Sequence, residues 1–352
     1  MPDVAARETL LRLLGTQLPI IQAPMAGVQT SALAVAVSKS GGLGSLPCAM
    51  LTVETIRKEL AAIHAGTDRP YNVNFFCHAQ PTPNAAREAA WRRALAPYFA
   101  EYGIEPDAIP AAPARAPFTA ESANALEGFK PRVVSFHFGL PAPELVARVK
   151  RWGSKVVASA TTVNEARWLE ANGADGIIAQ GAEAGGHRGM FLTADVGAQI
   201  GTFALVPQIA RAVRVPVIAA GGIADVDGVA AAMALGAGGV QVGTAYLLCH
   251  EATTSAVHRA ALKSDAAHET ALTNLFTGRP ARGIVNRLMR ELGPISSLAP
   301  AFPLAAAAIA PLRGSAEARG YGDFSPLWAG QNASGCKEIP AAELTRELAE
   351  GL

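Results

Sequence analysis

Eight short apolar runs, separated by stretches with helical spacing, constrain this chain more than any other feature. They are PIIQA at 19–23, LGSLP at 43–47, NVNFF at 72–76, RVVSF at 132–136, KVVAS at 155–159, DGIIAQ at 175–180, PVIAA at 216–220 and GVQVG at 239–243. Helical patterns occupy 32–39, 53–65, 85–99, 143–152, 163–172, 202–213 and 226–235. Strands that alternate with helices build βαβ units, and those units make a parallel sheet. Half of the 352 residues are apolar and only 17% are charged, as expected where strands are buried on both faces.

Two closures suit such a chain. An open, doubly wound sheet would place a G-x-G-x-x-G fingerprint in the first βα turn. The first turn here is Ala23-Pro24-Met25-Ala26-Gly27, which lacks it. The expected fold class is therefore α/β, a (β/α)₈ TIM barrel with a smaller helical cap. The barrel is expected over 1–246, with an insertion near 100–130 marked by Pro106, Pro110, Pro113 and Pro117. After Thr244 the strand rhythm stops; 247–312 reads as a small helical cap and 313–352 as a return to the barrel.

Charge narrows the partners. Lys and Arg number 30 against 29 Asp and Glu, a formal net charge of +1. No basic surplus favours nucleic acid, and no polybasic run favours a membrane surface. The four cysteines, Cys48, Cys77, Cys249 and Cys336, form no C-x-x-C pair, which suits a reduced, cytoplasmic protein. The opening MPDVAARETLLRLLG has no basic start followed by an apolar core, so no leader is expected.

In a barrel the chemistry sits just beyond the C-terminal strand ends. Those positions carry Ala23, Pro24 and Met25 after the first run, Cys77 and His78 after the third, and His137 at the end of the fourth. The sixth is followed by Gln180-Gly-Ala-Glu-Ala-Gly-Gly-His-Arg-Gly189. Gly221-Gly222 follow the seventh run and Gly243-Thr244 the eighth. Together with Gly185-Gly186, these glycines predict a phosphate cradle, because main-chain N–H groups can approach an anion closely there. Thr244 would add a hydroxyl at a helix start. His137 alternates with Phe136 and Phe138, so outward-facing phenylalanines would leave its imidazole inside the rim, able to take a proton or steady charge. His187 and Arg188 read as groups of a flexible loop that gate the site or bind an anion, and Glu183 as a surface carboxylate. His78 is either a support for the site or part of the fold. Metal-ligand spacing is missing, so no metal is expected.

The segments PIIQAPMAGV (19–28), NVNFFCH (72–78), VVSFHFG (133–139), AQGAEAGGHRG (179–189), AAGGI (219–223), QVGTAYL (241–247) and TGRPARGIVNR (277–287) resemble the nitronate monooxygenase family, formerly 2-nitropropane dioxygenase. The resemblance runs from about Leu14 to beyond Trp328. It implies an FMN enzyme that oxidises alkyl nitronates with O₂ to a carbonyl compound and nitrite, using neither metal nor NAD(P)H. It further implies that Asn74, Gln180, Gly185, Gly222, Gln241, Val242, Gly243 and Thr244 hold the flavin. The Ala23-Pro24-Met25 turn would lie beside its ring, and His137 would be the catalytic residue.

Near Phe302, Ala306 and Ala310 the family pattern has two tyrosines and a lysine, and near His258 another tyrosine. Their replacement implies a roomier or more apolar pocket and leaves the physiological substrate open. The alternatives are an NAD(P)H-dependent FMN reductase of quinones or enoyl thioesters on the same barrel, and a non-catalytic flavin-binding module.

Overall fold

The computed structural model describes residues 4–105, 109 and 116–352. The strands are β1 (Ile20–Gln22), β2 (Gly44–Pro47), β3 (Tyr71–Phe76), β4 (Val133–His137), β5 (Lys155–Ala160), β6 (Gly176–Gln180), β7 (Gly186–His187), β8 (Val217–Ala220) and β9 (Gly239–Val242). All but β7 join one eight-stranded parallel sheet in the order β1-β9-β8-β6-β5-β4-β3-β2. The sheet closes on itself: Leu43 N–H donates to Ile20 O at 2.9 Å, and Gln22 N–H to Leu43 O at 3.0 Å. This is a TIM barrel, and each of the eight apolar runs supplies one of its strands.

Local chemistry starts the outer helices. Thr30, Thr52, Thr162 and Asp225 accept hydrogen bonds from the first-turn N–H groups of α2 (Ser31–Lys39), α3 (Val53–Gly66), α7 (Val163–Ala171) and α9 (Val226–Ala234). The shell core joins Ile20, Val73, Phe136, Val156, Ile177 and Val240 to these helices. Inside the barrel, Leu10 and Leu14 of α1 (Val4–Leu14) pack with Ile21, Val133, Val157 and Ile218 and plug the N-terminal mouth. Higher in the interior the filling is polar. Asn72 Nδ2 donates to Ser45 Oγ at 3.0 Å and to Ser135 Oγ at 2.9 Å.

A second apolar core lies over the opposite mouth. It joins Trp91, Leu95 and Phe99 of α4 (Ala85–Tyr102) to Leu275, Phe276, Leu288 and Met289, and to Ile309 and Leu312 of α12 (Ala306–Ala318). The helical-tail reading needs correction here. β10 (Thr270–Thr273) and β11 (Ala281–Ile284) pair antiparallel, and β11 also pairs with β7. Residue 312 falls inside α12 rather than at a boundary. The cap is partly a sheet because two short strands far along the chain satisfy the backbone of the loop after β6. Of the proline-marked insertion, Pro106, Pro110 and Pro113 lie outside the described residues; 120–126 forms α5 (Ala120–Leu126). Finally, α13 (Ala341–Ala349) buries Ala341, Leu344 and Leu348 in the barrel shell. No helix among the described residues is long and apolar enough to cross a membrane.

Candidate active site

A cavity of about 510 Å³ opens at the C-terminal end of the barrel. The β1 turn gives it Ala23, Pro24 and Met25; β3, β4 and β6 give Asn74, His137 and Gln180. β7 contributes Gly186 and His187, β9 contributes Gln241, and the turns beyond the strands contribute Gly185, Gly222, Gly243 and Thr244. Val242 does not join them. It is buried in the barrel shell, one residue out of phase with Gln241, as strand alternation demands.

Each turn is held by a partner the sequence does not pair with it. Gln29 steadies the first: its Oε1 accepts from Met25 N–H at 2.8 Å and from Gln22 Nε2 at 2.7 Å. The loop after β6 is paired along its length. Gly186 and His187 sit opposite Arg282 and Ala281 in the β7–β11 pair, and Arg188 N–H donates to Pro280 O at 2.9 Å. The Arg188 side chain is fully buried and donates to Gly181 O, Gln180 O and Gln199 Oε1 at 2.7, 2.8 and 2.8 Å. Burial lowers its pKa to about 10, so it stays charged at neutral pH as an internal brace rather than a gate. Glu183 is half-buried and accepts from Thr202 N–H and Thr202 Oγ1, each at 2.8 Å, at the start of α8 (Thr202–Ala212). It is a helix cap, not a surface carboxylate.

Glu165 is a further support that sequence reading missed. Fully buried, it accepts from Thr161 N–H and Oγ1 at 2.7 and 2.8 Å, and from Phe191 and Leu192 N–H at 2.6 and 3.2 Å. Glu165→Gln turns one accepting atom into a donor facing donors. The expected loss is about 3 kcal/mol of stability, from one orphaned buried group plus a weakened charge-assisted bond. Urea denaturation of variant and parent at one pH measures it.

His137 lies at the cavity wall with both ring nitrogens engaged. Nε2 is 3.0 Å from His187 O, and Nδ1 is 3.1 Å from Ser159 Oγ. A carbonyl only accepts, so Nε2 carries the proton and Nδ1 accepts from the Ser159 hydroxyl. Burial lowers the His137 pKa to about 3; the His187 carbonyl opposes this, and the charges of Arg279 and Arg188 reinforce it. The imidazole is therefore neutral. Phe138 does not point outward as strand alternation predicts. Its φ of +70° turns it over the site, against His137, His187 and Phe302, with Arg279 Cζ 3.9 Å from its ring centre. His78 is buried behind the site against Phe302 and Phe138. His187 packs on Phe302 and Trp328, and its Nε2 is 2.9 Å from Thr277 Oγ1.

Do these residues fit a flavin mononucleotide? Gly186, Gly221 and Gly222 adopt φ of +71°, +118° and +73°, which aim successive N–H groups in ways L side chains rarely allow. A Cβ on Gly185 would stand 2.6 Å from the main chain of Ala329 and Gly330, so the segment after Trp328 closes onto the same cradle. That segment was not foreseen. Gly330 N–H donates to Thr244 Oγ1 at 2.9 Å, and Asn332 Nδ2 donates to Gly222 O at 3.1 Å. Thr244 opens a five-residue 3₁₀ turn, Thr244–Leu248, and its hydroxyl accepts from Gly330 while keeping its own proton to donate. Gln241 Oε1 is buried with no partner among the described residues, an acceptor that a ligand N–H or O–H would satisfy. Ser135 holds the Asn74 amide nitrogen, leaving the Asn74 carbonyl for a ligand, whereas Gln180 is committed to His187 O and Gly189 N–H. The donor set fits an anionic tail and a polar heterocycle.

A closed barrel whose last loops carry glycine turns beside an apolar, histidine-edged chamber has the layout of a barrel enzyme with its site at the C-terminal strand ends. The family model for nitronate monooxygenase matches residues 7–351. A nitronate monooxygenase of Pseudomonas aeruginosa is 45% identical over 350 residues, covering 97% of this chain and 98% of its own. The crystal structure of a nitroalkane oxidase from Streptomyces ansochromogenes superimposes with a TM-score of 0.88 at 40% identity, covering 97% of this chain and 96% of that chain. FabK from Thermotoga maritima superimposes with a TM-score of 0.69 at 27% identity, covering 96% and 94%. The chain belongs to the nitronate monooxygenase family, and it is an oxidoreductase.

Proposed function

We propose that this protein binds FMN and oxidises alkyl nitronates with O₂ to a carbonyl compound and nitrite. The observation that carries the reading is the pairing of the glycine-built cradle with a neutral, buried imidazole in one cavity. Gly185, Gly186, Gly222, Gly243 and Thr244 would hold the phosphate, while Asn74 and Gln241 would meet polar edges of the cofactor and the Ala23-Pro24-Met25 turn would support its ring. Bound there, FMN would supply the electron transfer between nitronate and O₂ that no side chain can perform.

The chain's own contribution is selection of the ionised substrate. Arg279 and Arg188 lie close enough to His137 to depress its pKa, while Glu165 lies close enough to both arginines to offset part of their charge. A histidine titrating near 3 is a weak base for a C–H proton, so the substrate enters as nitronate, already deprotonated, and His137 borders it without taking up a proton. His187, locked to Thr277, forms the facing wall.

Oxygen uptake by the purified yellow protein tests this. Preformed alkyl nitronates should be consumed with nitrite release, and the neutral nitroalkanes at about 1% of that rate or less, since proton transfer by a matched base typically contributes ~100-fold or more. His137→Asn should lower kcat on the nitronate by at least about tenfold, because it breaks the Ser159–His137–His187 chain that shapes the wall. No uptake with any nitronate, or rapid bleaching of the flavin by NADH, would overturn the assignment.

A further inference from the structure

Gly330, Gln331 and Asn332, three consecutive residues late in the chain, each bond to a different loop at the phosphate end of the cavity. Gly330 N–H donates to Thr244 Oγ1, in the turn after β9, at 2.9 Å. Gln331 N–H donates to Glu183 O, in the loop after β6, at 2.9 Å. Asn332 Nδ2 donates to Gly222 O, in the turn after β8, at 3.1 Å. Strands β9, β8 and β6 are neighbours in the sheet, so the tripeptide lies across three adjacent strand ends. It is seated tightly there. A Cβ on Gly330 would stand 2.8 Å from Glu183 O and 3.2 Å from Gly185 N, so a glycine is needed at this crossing. Farther on, a Cβ on Gly335 would meet Ala224 O at 1.8 Å, and Cys336 Sγ stands 3.1 Å from Thr244 O. The segment is therefore held down at both ends.

These contacts leave the donors that an anion needs. Thr244 Oγ1 takes the Gly330 proton and keeps its own. Gly222 is held by its carbonyl, so its N–H is not spent on the contact. Asn332 is itself braced, its Oδ1 accepting from Ser334 N–H at 3.1 Å and Ser334 Oγ at 2.6 Å. Donors on separate loops serve one anion only if their spacing is fixed to within about 0.5 Å. We propose that residues 330–332 form a crossbar that sets the spacing of the phosphate donors, with Asn332 as a positioning residue that acts through Gly222. The proposal rests on FMN as the cofactor. It assigns to this late segment the preference for the phosphorylated flavin over riboflavin.

Asn332→Ser tests the crossbar. A serine hydroxyl still accepts from the Ser334 N–H, as in other short polar turns, but is too short to hold Gly222 O. Fluorescence titration of the flavin-stripped protein gives dissociation constants for FMN and for riboflavin, and calorimetry gives one for inorganic phosphate. Asn332→Ser should weaken FMN about tenfold, the effect of spoiling one hydrogen bond to a charged group. Inorganic phosphate should weaken in parallel, while riboflavin, whose binding also shows that the variant is folded, should change little. Asn332→Gln, which restores an amide donor on a longer stem, should recover part of the loss. Equal weakening of FMN and riboflavin would mean a merely structural role and overturn the crossbar. So would an FMN-to-riboflavin ratio that Asn332→Ser leaves unchanged, although tight FMN binding would then leave the cofactor reading intact. If the wild type takes up no flavin but binds inorganic phosphate in an Asn332-dependent way, the FMN reading fails and the crossbar stands. Binding of neither flavin nor phosphate overturns both.

Discussion

Gly222→Asp is expected to give a folded protein that purifies colourless, with FMN affinity lowered roughly a thousandfold, while Gly222→Asn stays yellow. Gly222 has a φ of +73°, which Asp and Asn tolerate better than other side chains. A Cβ there would lie 3.4 Å from Glu183 Cβ, so both variants fit with only a small adjustment of a half-buried side chain. The two differ by one charge. Two like unit charges about 4 Å apart repel by about 4 kcal/mol at an effective dielectric of about 20, and each 1.4 kcal/mol is a factor of ten in affinity. Quenching of FMN fluorescence during titration with apoprotein gives both dissociation constants. Riboflavin, which lacks the phosphate, supplies the control: its binding should differ little between Asp and Asn. If the Asp variant holds FMN as tightly as the Asn variant, the phosphate does not sit on the loop after β8, and the cradle must be assigned elsewhere.

The glycine turns behind the proposed cradle were legible because they depend on residue type in sequential positions. Glycines directly after strands six, seven and eight point to it without any knowledge of packing. What could not be read was what presses on it from afar. Gly330 and Asn332 reach Thr244 and Gly222 across 86 and 110 residues, and a tripeptide in a coil segment carries no signal of such contacts. The same holds for β7. Two residues cannot show a period of two, so a strand that exists only because β11 lies beside it reads as loose loop. Arg188 then reads as a gating or anion-binding group and Glu183 as a surface carboxylate, although one is a fully buried brace and the other caps α8. Val242 and Phe138 are instructive in opposite ways. Strand alternation places the Val242 side chain in the barrel shell, away from the cavity that Gln241 faces. For Phe138 the alternation misled, because a positive φ at the strand end reversed the expected side, and nothing in VVSFHFG announces that turn.

Acidification from pH 8 to pH 5 should cost the folded state about 4 kcal/mol through two histidines alone. His137 is held near pKa 3, chiefly by burial, and His258 near 4, also chiefly by burial. Unfolding releases each to about 6.5. Below pH 6.5 the unfolded chain binds protons that the native chain refuses, so stability falls as pH drops, from about 6.5 down to the folded values of about 4 and 3. At pH 5 a single such group contributes about 2 kcal/mol of destabilisation relative to pH 8, since 1.36 kcal/mol accompanies each unit between solution pH and the unfolded pKa. The comparison that isolates the effect is urea denaturation at both pH values for the parent and for the doubly substituted His137→Gln, His258→Gln protein. Carboxylates titrate alike in the two, so their share cancels. The double variant should start less stable at pH 8, because its glutamines pair imperfectly with Ser159, His187 and the Trp328 carbonyl. Between pH 8 and pH 5 it should lose about 4 kcal/mol less than the parent. Equal losses would mean that the two rings already take up protons in the folded protein near pH 6.5. A positive charge would then stand at the wall of the chamber, and the anionic substrate would be met by an imidazolium instead of the neutral edge that the burial of His137 dictates.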